Sequence, residues 1–227
     1  MPDHLFGSVM SDGHRALDAQ QDVQAAYWFR RAAEYASVNE QRSQARQMAG
    51  VALRKLGDFA AAADELETAI SYEAISDLQL GKACRDLAMI YIDMAKATTN
   101  LSEQSKLLDK ARVLLLQSRE KLKRSGDMVE LGMTTSFLGR LVVTKYPLNT
   151  MTAAFWMRMA IPYVRSNKVY ALNNVLTLMA LTRRLFWQYL PYALWLGLRY
   201  PENHGRLRSL AAKKADGFIN LRGLSKG

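Results

Sequence analysis

The sequence predicts an all-α protein, an α-solenoid of stacked antiparallel helix pairs, and three observations carry that expectation. Apolar residues recur at helical spacing through most of the 227 residues, and no stretch alternates with the period of two that a half-buried strand requires. Stop and start signals stand side by side at Gly57-Asp58 and Ser125-Gly126-Asp127, so tight turns join successive helices. Along residues 43–76, small and large side chains fall in the order that two closely packed antiparallel helices need.

Taken in order, the chain opens with SDGHRALDAQQ as a first helix and DVQAAYWFRRAAEYA as a second. This pair aligns with the central one under two shifts. A shift of 36 residues matches Asp22, Ala26 and Ala33 to Asp58, Ala62 and Ala69 but sets Arg30 against Leu66. A shift of 37 matches Ala25, Phe29 and Ala32 to Ala62, Leu66 and Ala69 and loses the Asp cap. The second is preferred, because packing residues decide a helix interface more than a cap does.

In the central unit, Ala45, Met48, Ala49, Ala52, Leu53 and Leu56 form the stripe of the first helix. Gly57 supplies the left-handed residue that ends it, and Asp58 caps the second, whose stripe is Ala62, Leu66, Ala69 and Ile70. Residues 77–97 follow as a long helix with Leu80, Cys84, Leu87, Ala88, Tyr91 and Ala95 on one face. Asn100 caps the next, with Glu103 as a capping-box partner, and Ala111, Leu115 and Ser118 repeat the small-large-small order. Asp127 and Glu130 form a second capping box before a helix over 128–145. Asn149-Thr150 opens another, carrying Ala153, Ala154, Met157, Ala160 and Ile161, which Pro162 must kink or end. A very apolar helix spans 167–189, Pro191 interrupts it, and residues 192–200 add an apolar turn or two. Residues 1–200 therefore read as one helical-repeat domain, clearest over 10–124 and degenerate over 127–200, with 201–227 as a basic tail.

The landmarks Ala49, Gly50, Leu53, Gly57, Phe59, Ala62, Leu66 and Ala69 resemble a tetratricopeptide repeat (TPR), a helix pair of about 34 residues. Two landmarks depart: Arg46 stands where a large apolar residue is usual, and Ala74 where a proline usually closes the unit. The resemblance implies a right-handed superhelix and a binding scaffold whose concave face is lined by the first helix of each pair. On that face it places Gln44, Gln47, Val51, Arg54 and Lys55 as the groove that takes a peptide or helix. Some members of the family clamp a C-terminal carboxylate with Lys and Asn, but Gln47 and Val51 occupy those places here and do not support a clamp.

Charge divides the chain. Residues 1–139 carry 17 basic and 19 acidic side chains, whereas residues 140–227 carry 14 basic ones against Glu202 and Asp216 alone. Between Glu130 and Glu202 there is no acidic residue, and Trp156, Trp187 and Trp195 lie in that stretch. Such asymmetry speaks about partners. It points to an acidic partner, whether anionic membrane, nucleic acid or acidic protein, met by Arg183, Arg184, Arg206, Arg208, Lys213 and Lys214. The run LFWQYLPYALWLGL (185–198) is too short to span a bilayer and holds a proline. It reads either as a buried closing helix or as an apolar docking surface.

Motifs for catalysis are missing: the sequence has no Gly-rich phosphate loop, G-x-S-x-G or H-E-x-x-H, and His4, His14 and His204 are dispersed. The expectation is a non-enzymatic scaffold with no cofactor and no metal. Asp64, Glu65 and Glu67 are expected on a solvated outer face. A lone cysteine, Cys84, and no signal peptide in MPDHLFGSVMSDG indicate a reducing, cytosolic compartment. The alternative function is a peripheral membrane- or nucleic-acid-associated adaptor acting through the basic, aromatic half.

Overall fold

The computed structural model describes residues 2–145, 150–164, 171, 175, 178 and 183–200, and every regular element among them is helical. The helices are α1 (Pro2–Asp18), α2 (Asp22–Tyr35), α3 (Asn39–Leu56), α4 (Phe59–Ser71), α5 (Asp77–Ala97), α6 (Leu101–Ser125), α7 (Met128–Lys145), α8 (Thr150–Val164) and α9 (Arg183–Arg199). From α1 to α8 each helix packs against the next, and α3, α5 and α7 also touch in series. The odd-numbered helices α3, α5 and α7 thus form one side of the stack, tied pair to pair. The all-α expectation holds.

What sets the pairing is a glycine on the first helix of each pair, pressed against a large side chain of the second. A Cβ built on Gly50 would lie 2.8 Å from Leu66 and 3.1 Å from the Ala62 carbonyl oxygen. Gly13 stands in the same relation to Phe29, Gly81 to Leu122, and Gly139 to Met157. In each second helix a small residue four positions earlier lets the backbones close: Ala25, Ala62, Ser118 and Ala153 are all fully buried. The third pair therefore differs from its sequence reading. Ala111, Leu115 and Ser118 are buried as expected, yet the residue over the glycine is Leu122, two turns further along α6.

Backbone turns confirm the shift of 37 residues between the first two pairs. After α3 the Gly57 and Asp58 amides donate to Arg54 and Leu53 carbonyls, with Gly57 left-handed (φ 82°). After α1 the Gln20 and Gln21 amides donate to Leu17 and Ala16, with Gln20 left-handed (φ 59°). Asp22 is then the first residue of α2 and its preceding Gln21 makes no side-chain cap, which is why the shift of 36 failed. Helix α1 begins at Pro2, well before the expected Ser11, because Phe6, Val9 and Met10 extend its packed face.

Other turns correct the sequence reading in detail. Asp58 caps α4 as expected, accepting from the Ala61 amide, and Asn100 accepts from Ser102 and Glu103. Neither capping box closes, however. Glu103 accepts instead from the Thr98 hydroxyl, which itself takes the Asn100 amide. Asp127 receives the Glu130 amide, but the Glu130 carboxylate turns away to Arg85 and Lys82. A stronger charged partner outcompetes one backbone amide. Ala74 is left-handed (φ 57°), a conformation closed to proline, so its departure from the repeat pattern follows from the turn itself.

Beyond α7 the chain keeps helices through two prolines, the first expected to kink or end its helix and the second to interrupt one. Helix α8 runs through Pro162 to Val164, and α9 runs through Pro191 to Arg199. Proline costs a helix interior about 3 kcal/mol. Here buried Ala160 before the first and buried Ala193 after the second hold the flanking turns against their neighbours. Much of the expected 167–189 helix lies outside the described residues, though Ala171, Val175 and Leu178 are helical and fully buried.

Two glycines separate tight packing from helix propensity. Gly50→Ala should lower stability by about 1–3 kcal/mol through overpacking, outweighing the gain of about 1 kcal/mol from propensity. A Cβ on Gly7 meets nothing within 4 Å, so Gly7→Ala should leave stability equal or raise it by up to about 1 kcal/mol. Denaturant midpoints of the two variants check both signs.

Candidate functional site

The side formed by α3, α5 and α7 carries the groove residues expected from sequence, and most of its polar groups face one another. Gln47 is buried: its amide donates to Asp86 at 2.6 Å and its carbonyl oxygen accepts from Gln79 at 2.8 Å. Arg54 is half-buried and donates to Asp93 at 2.7 Å. Lys55 is more exposed, 3.8 Å from Asp22. Gln44 is exposed and Val51 half-buried. Gln47 and Arg54 therefore bind α5 in this structure, and Gln44 and Lys55 are the exposed members of the expected groove. Farther along the same side, Arg85 bridges Asp86 and Glu130. Burial alone would favour its neutral form, but those two carboxylates outweigh it and raise its pKa above the usual guanidinium range.

Of the α4 carboxylates, Asp64 and Glu67 are exposed as expected, and Glu65 needs a correction. Glu65, expected on a solvated face, is buried and held by Arg30 at 2.6 Å and Arg46 at 2.9 Å. Arg46 is the residue that broke the repeat pattern. It replaces an apolar contact between α3 and α4 with an ion pair, and Glu65 is what makes an arginine tolerable there. Burial works against the Arg46 charge, and Glu65 more than restores it. The two departures explain each other, and reading them together would have revealed the pair.

On the other side of the stack, α4 and α6 stand apart and α5 shows between them. The gap is an apolar trough of about 730 Å³ lined by Ile70, Leu87, Tyr91, Val113 and Leu114, among others. Ile70 also borders a second hollow of about 550 Å³ over Leu80, Cys84 and Leu116. Leu80, Cys84, Leu87 and Tyr91 recur along one face of α5, so the two hollows share a floor. On the α6 wall Val113 and Leu116 remain 55% and 38% exposed. Lys121 is held by Asp77, and Asp109 by Lys145. Lys110 lies 5.3 Å above the Tyr91 ring. Lys106 and Arg124 line the rim with no ion pair or hydrogen bond among the described residues. The α5 stripe is largely buried, as its spacing implies, and the sequence missed the trough because the hollow above that stripe depends on how far α4 and α6 stand apart. The signal was Val113 and Leu116, apolar residues of α6 that stand off its buried stripe.

Two groups on the trough floor are electrostatically unusual. Burial pushes the Cys84 thiol up to about 11, with Lys121 pulling weakly the other way. Burial, then the hydrogen bond to Glu67, pushes the Tyr91 hydroxyl up to about 12. A thiol so placed is a packing group and a poor nucleophile.

Of the cations expected to meet an acidic partner, Arg183 and Arg184 open α9, while Arg206, Arg208, Lys213 and Lys214 lie outside the described residues. Trp156 is half-buried, with Arg119 5.6 Å from its ring. Among the described residues no group of three or more His, Cys, Asp or Glu is arranged to hold a metal ion, and no helix is long and apolar enough to cross a membrane.

No family model and no curated protein matches the chain. Among solved structures, it is similar to the crystal structure of BtubC (BKLC) from P. vanneervenii. The match has a TM-score of 0.60 at 13% identity, over 86% of this chain and 78% of that one. At that identity the likeness is one of fold alone.

The raised thiol pKa has a sign that can be checked. Unfolded Cys84 titrates near 9.0 and folded Cys84 near 11, so only the unfolded chain releases this proton between them. The thiol's contribution is intact below pH 9 and falls away by pH 11, by about 2–3 kcal/mol. Denaturant titrations should show that decline in the wild type and a shallower one, beginning near pH 10 where the Tyr91 hydroxyl takes over, in Cys84→Ala. At pH 8 an aromatic disulfide reagent should react with native Cys84 at least about 100-fold more slowly than with the unfolded chain.

Proposed function

We propose that this chain is a non-enzymatic scaffold of tetratricopeptide-like repeats, wound as a right-handed superhelix, which holds a helix of a protein partner. The observation that carries this reading is the α4–α5–α6 trough. Its floor is apolar and largely buried already, and its wall adds two exposed apolar residues, Val113 and Leu116, against which an amphipathic helix can lay its apolar face. Lys106 and Arg124 of its rim, which make no ion pair among the described residues, fit a partner helix whose flanks are acidic. A reducing, cytosolic setting suits the buried thiol of the floor.

The groove lined by Gln44, Gln47, Val51, Arg54 and Lys55 is the site that the repeat resemblance favours, and it is the weaker candidate here. Gln47 and Arg54 already satisfy α5 carboxylates, so a ligand would have to displace bonds of 2.6 and 2.7 Å. Gln44 and Lys55 are its more accessible members. The two sites make different demands on experiment, because Val113 and Gln44 lie on different faces of the stack.

A photo-crosslinking residue at position 113 should form an adduct with the partner from a native extract, and one at position 44 should not. Val113→Glu should reduce capture at least about tenfold with an unchanged melting temperature, since the side chain is already exposed. Adducts at position 44 alone would move the site to the odd-helix side. Adducts at neither position would remove the scaffold reading.

A further inference from the structure

We infer that the outer face of α8 and α9 is a docking surface for an anionic lipid bilayer, a function separate from the trough. Helix α8 exposes Met151 (83%), Phe155 (56%) and Met159 (42%), spaced four residues apart on one stripe. Helix α9 exposes Pro191, Leu194 and Trp195. Arg158, which lies on α8 between Phe155 and Met159, donates to the Gln188 side-chain oxygen at 3.2 Å and sits 5.9 Å from the Tyr189 ring. Both Arg158 and Gln188 are exposed, so that contact brings the two helices to the surface side by side.

The chemistry selects the occupant. Large apolar side chains on the outside of helices, mixed with Trp, Tyr and Arg, form the residue set that settles at a bilayer's headgroup boundary. The charge is one-sided: Arg158 and Arg199 are exposed, and no acidic residue occurs between Glu130 and Glu202 to repel lipid phosphates. Nucleic acid fits less well. Single-stranded bases need open aromatic faces, but Trp195 is stacked on Tyr192 at 5.8 Å and meets Tyr200 edge-on at 5.9 Å. A partner helix would need a groove, and these stripes lie on the outer sides of two helices. Shallow insertion without crossing agrees with the lack of a spanning helix among the described residues.

The test uses the full chain and vesicles of phosphatidylcholine, alone or with phosphatidylserine. Co-sedimentation should occur with the mixed vesicles, weaken as salt rises, and be at least about tenfold poorer without phosphatidylserine. Met151→Ser with Phe155→Ser should reduce binding about tenfold or more, and their exposure keeps the fold intact by circular dichroism. Arg158→Gln should weaken binding to the mixed vesicles and leave binding to neutral ones unchanged. Failure of the wild type to bind mixed vesicles at low salt would overturn the inference. So would full binding by the Met151/Phe155 variant, or tighter binding to random-sequence RNA or DNA than to the vesicles.

Discussion

The closest approach of two helices, a glycine of one under a large side chain of the other, is the constraint on which the stack depends. It recurs at Gly13 with Phe29, Gly50 with Leu66, Gly81 with Leu122 and Gly139 with Met157. Interiors are packed too densely to absorb even one extra methyl group freely. Each such contact therefore fixes the register of its pair, and everything else that faces outward inherits its position from it. The rule survives although the pairs differ in length, since α5 and α6 are longer than α3 and α4. The longer pair places its glycine contact near the start of α5 and the end of α6.

A second layer of order is polar and joins one pair to the next. Ser43 donates to the Ala69 carbonyl and accepts from Gln79, Gln79 donates to Gln47, and Gln47 donates to Asp86. Chains of this kind leave few buried donors without a partner and favour one stacking over its slipped alternatives. They also use up the face that a repeat scaffold ordinarily offers to ligands. In this molecule the side left with open apolar surface is the other one.

Much of the fold was legible because helical periodicity and turn residues are local signals. Gly57, Asp58, Asn100 and Gly126 mark their turns in the sequence and do so in the structure. The reading failed where a distant partner decides the outcome. Glu65 looked solvated on its own helix, and only Arg30, thirty-five residues away, and Arg46 bury it. Glu130 looked like a capping residue until Arg85 claimed it. Pro191 looked like a break and Pro162 like a kink or an end, because a sequence shows the lost hydrogen bond and not the packing that offsets it. The trough escaped for the same reason: a stripe of apolar residues says that something covers it, never whether the cover is complete.

No acidic side chain occurs between Glu130 and Glu202, and one way of fastening helices thins out there. Up to Glu130, pairs such as Arg30 with Glu65, Arg54 with Asp93 and Arg85 with Glu130 clasp one helix to another. Helix α7 still takes part, through Glu130 with Arg85 and Lys145 with Asp109, but past it α8 and α9 are held by Gly139 under Met157, by Ala154, Met157 and Leu178, and by Arg158 against Tyr189. Dissolved ions act oppositely on the two kinds of fastening. Sodium chloride screens partly exposed ion pairs, whereas sulfate strengthens apolar burial. The molecule is thus a composite: sodium chloride weakens a layer of fastening that, among the described residues, reaches no farther than α7, whereas sulfate tightens the apolar packing along the whole stack.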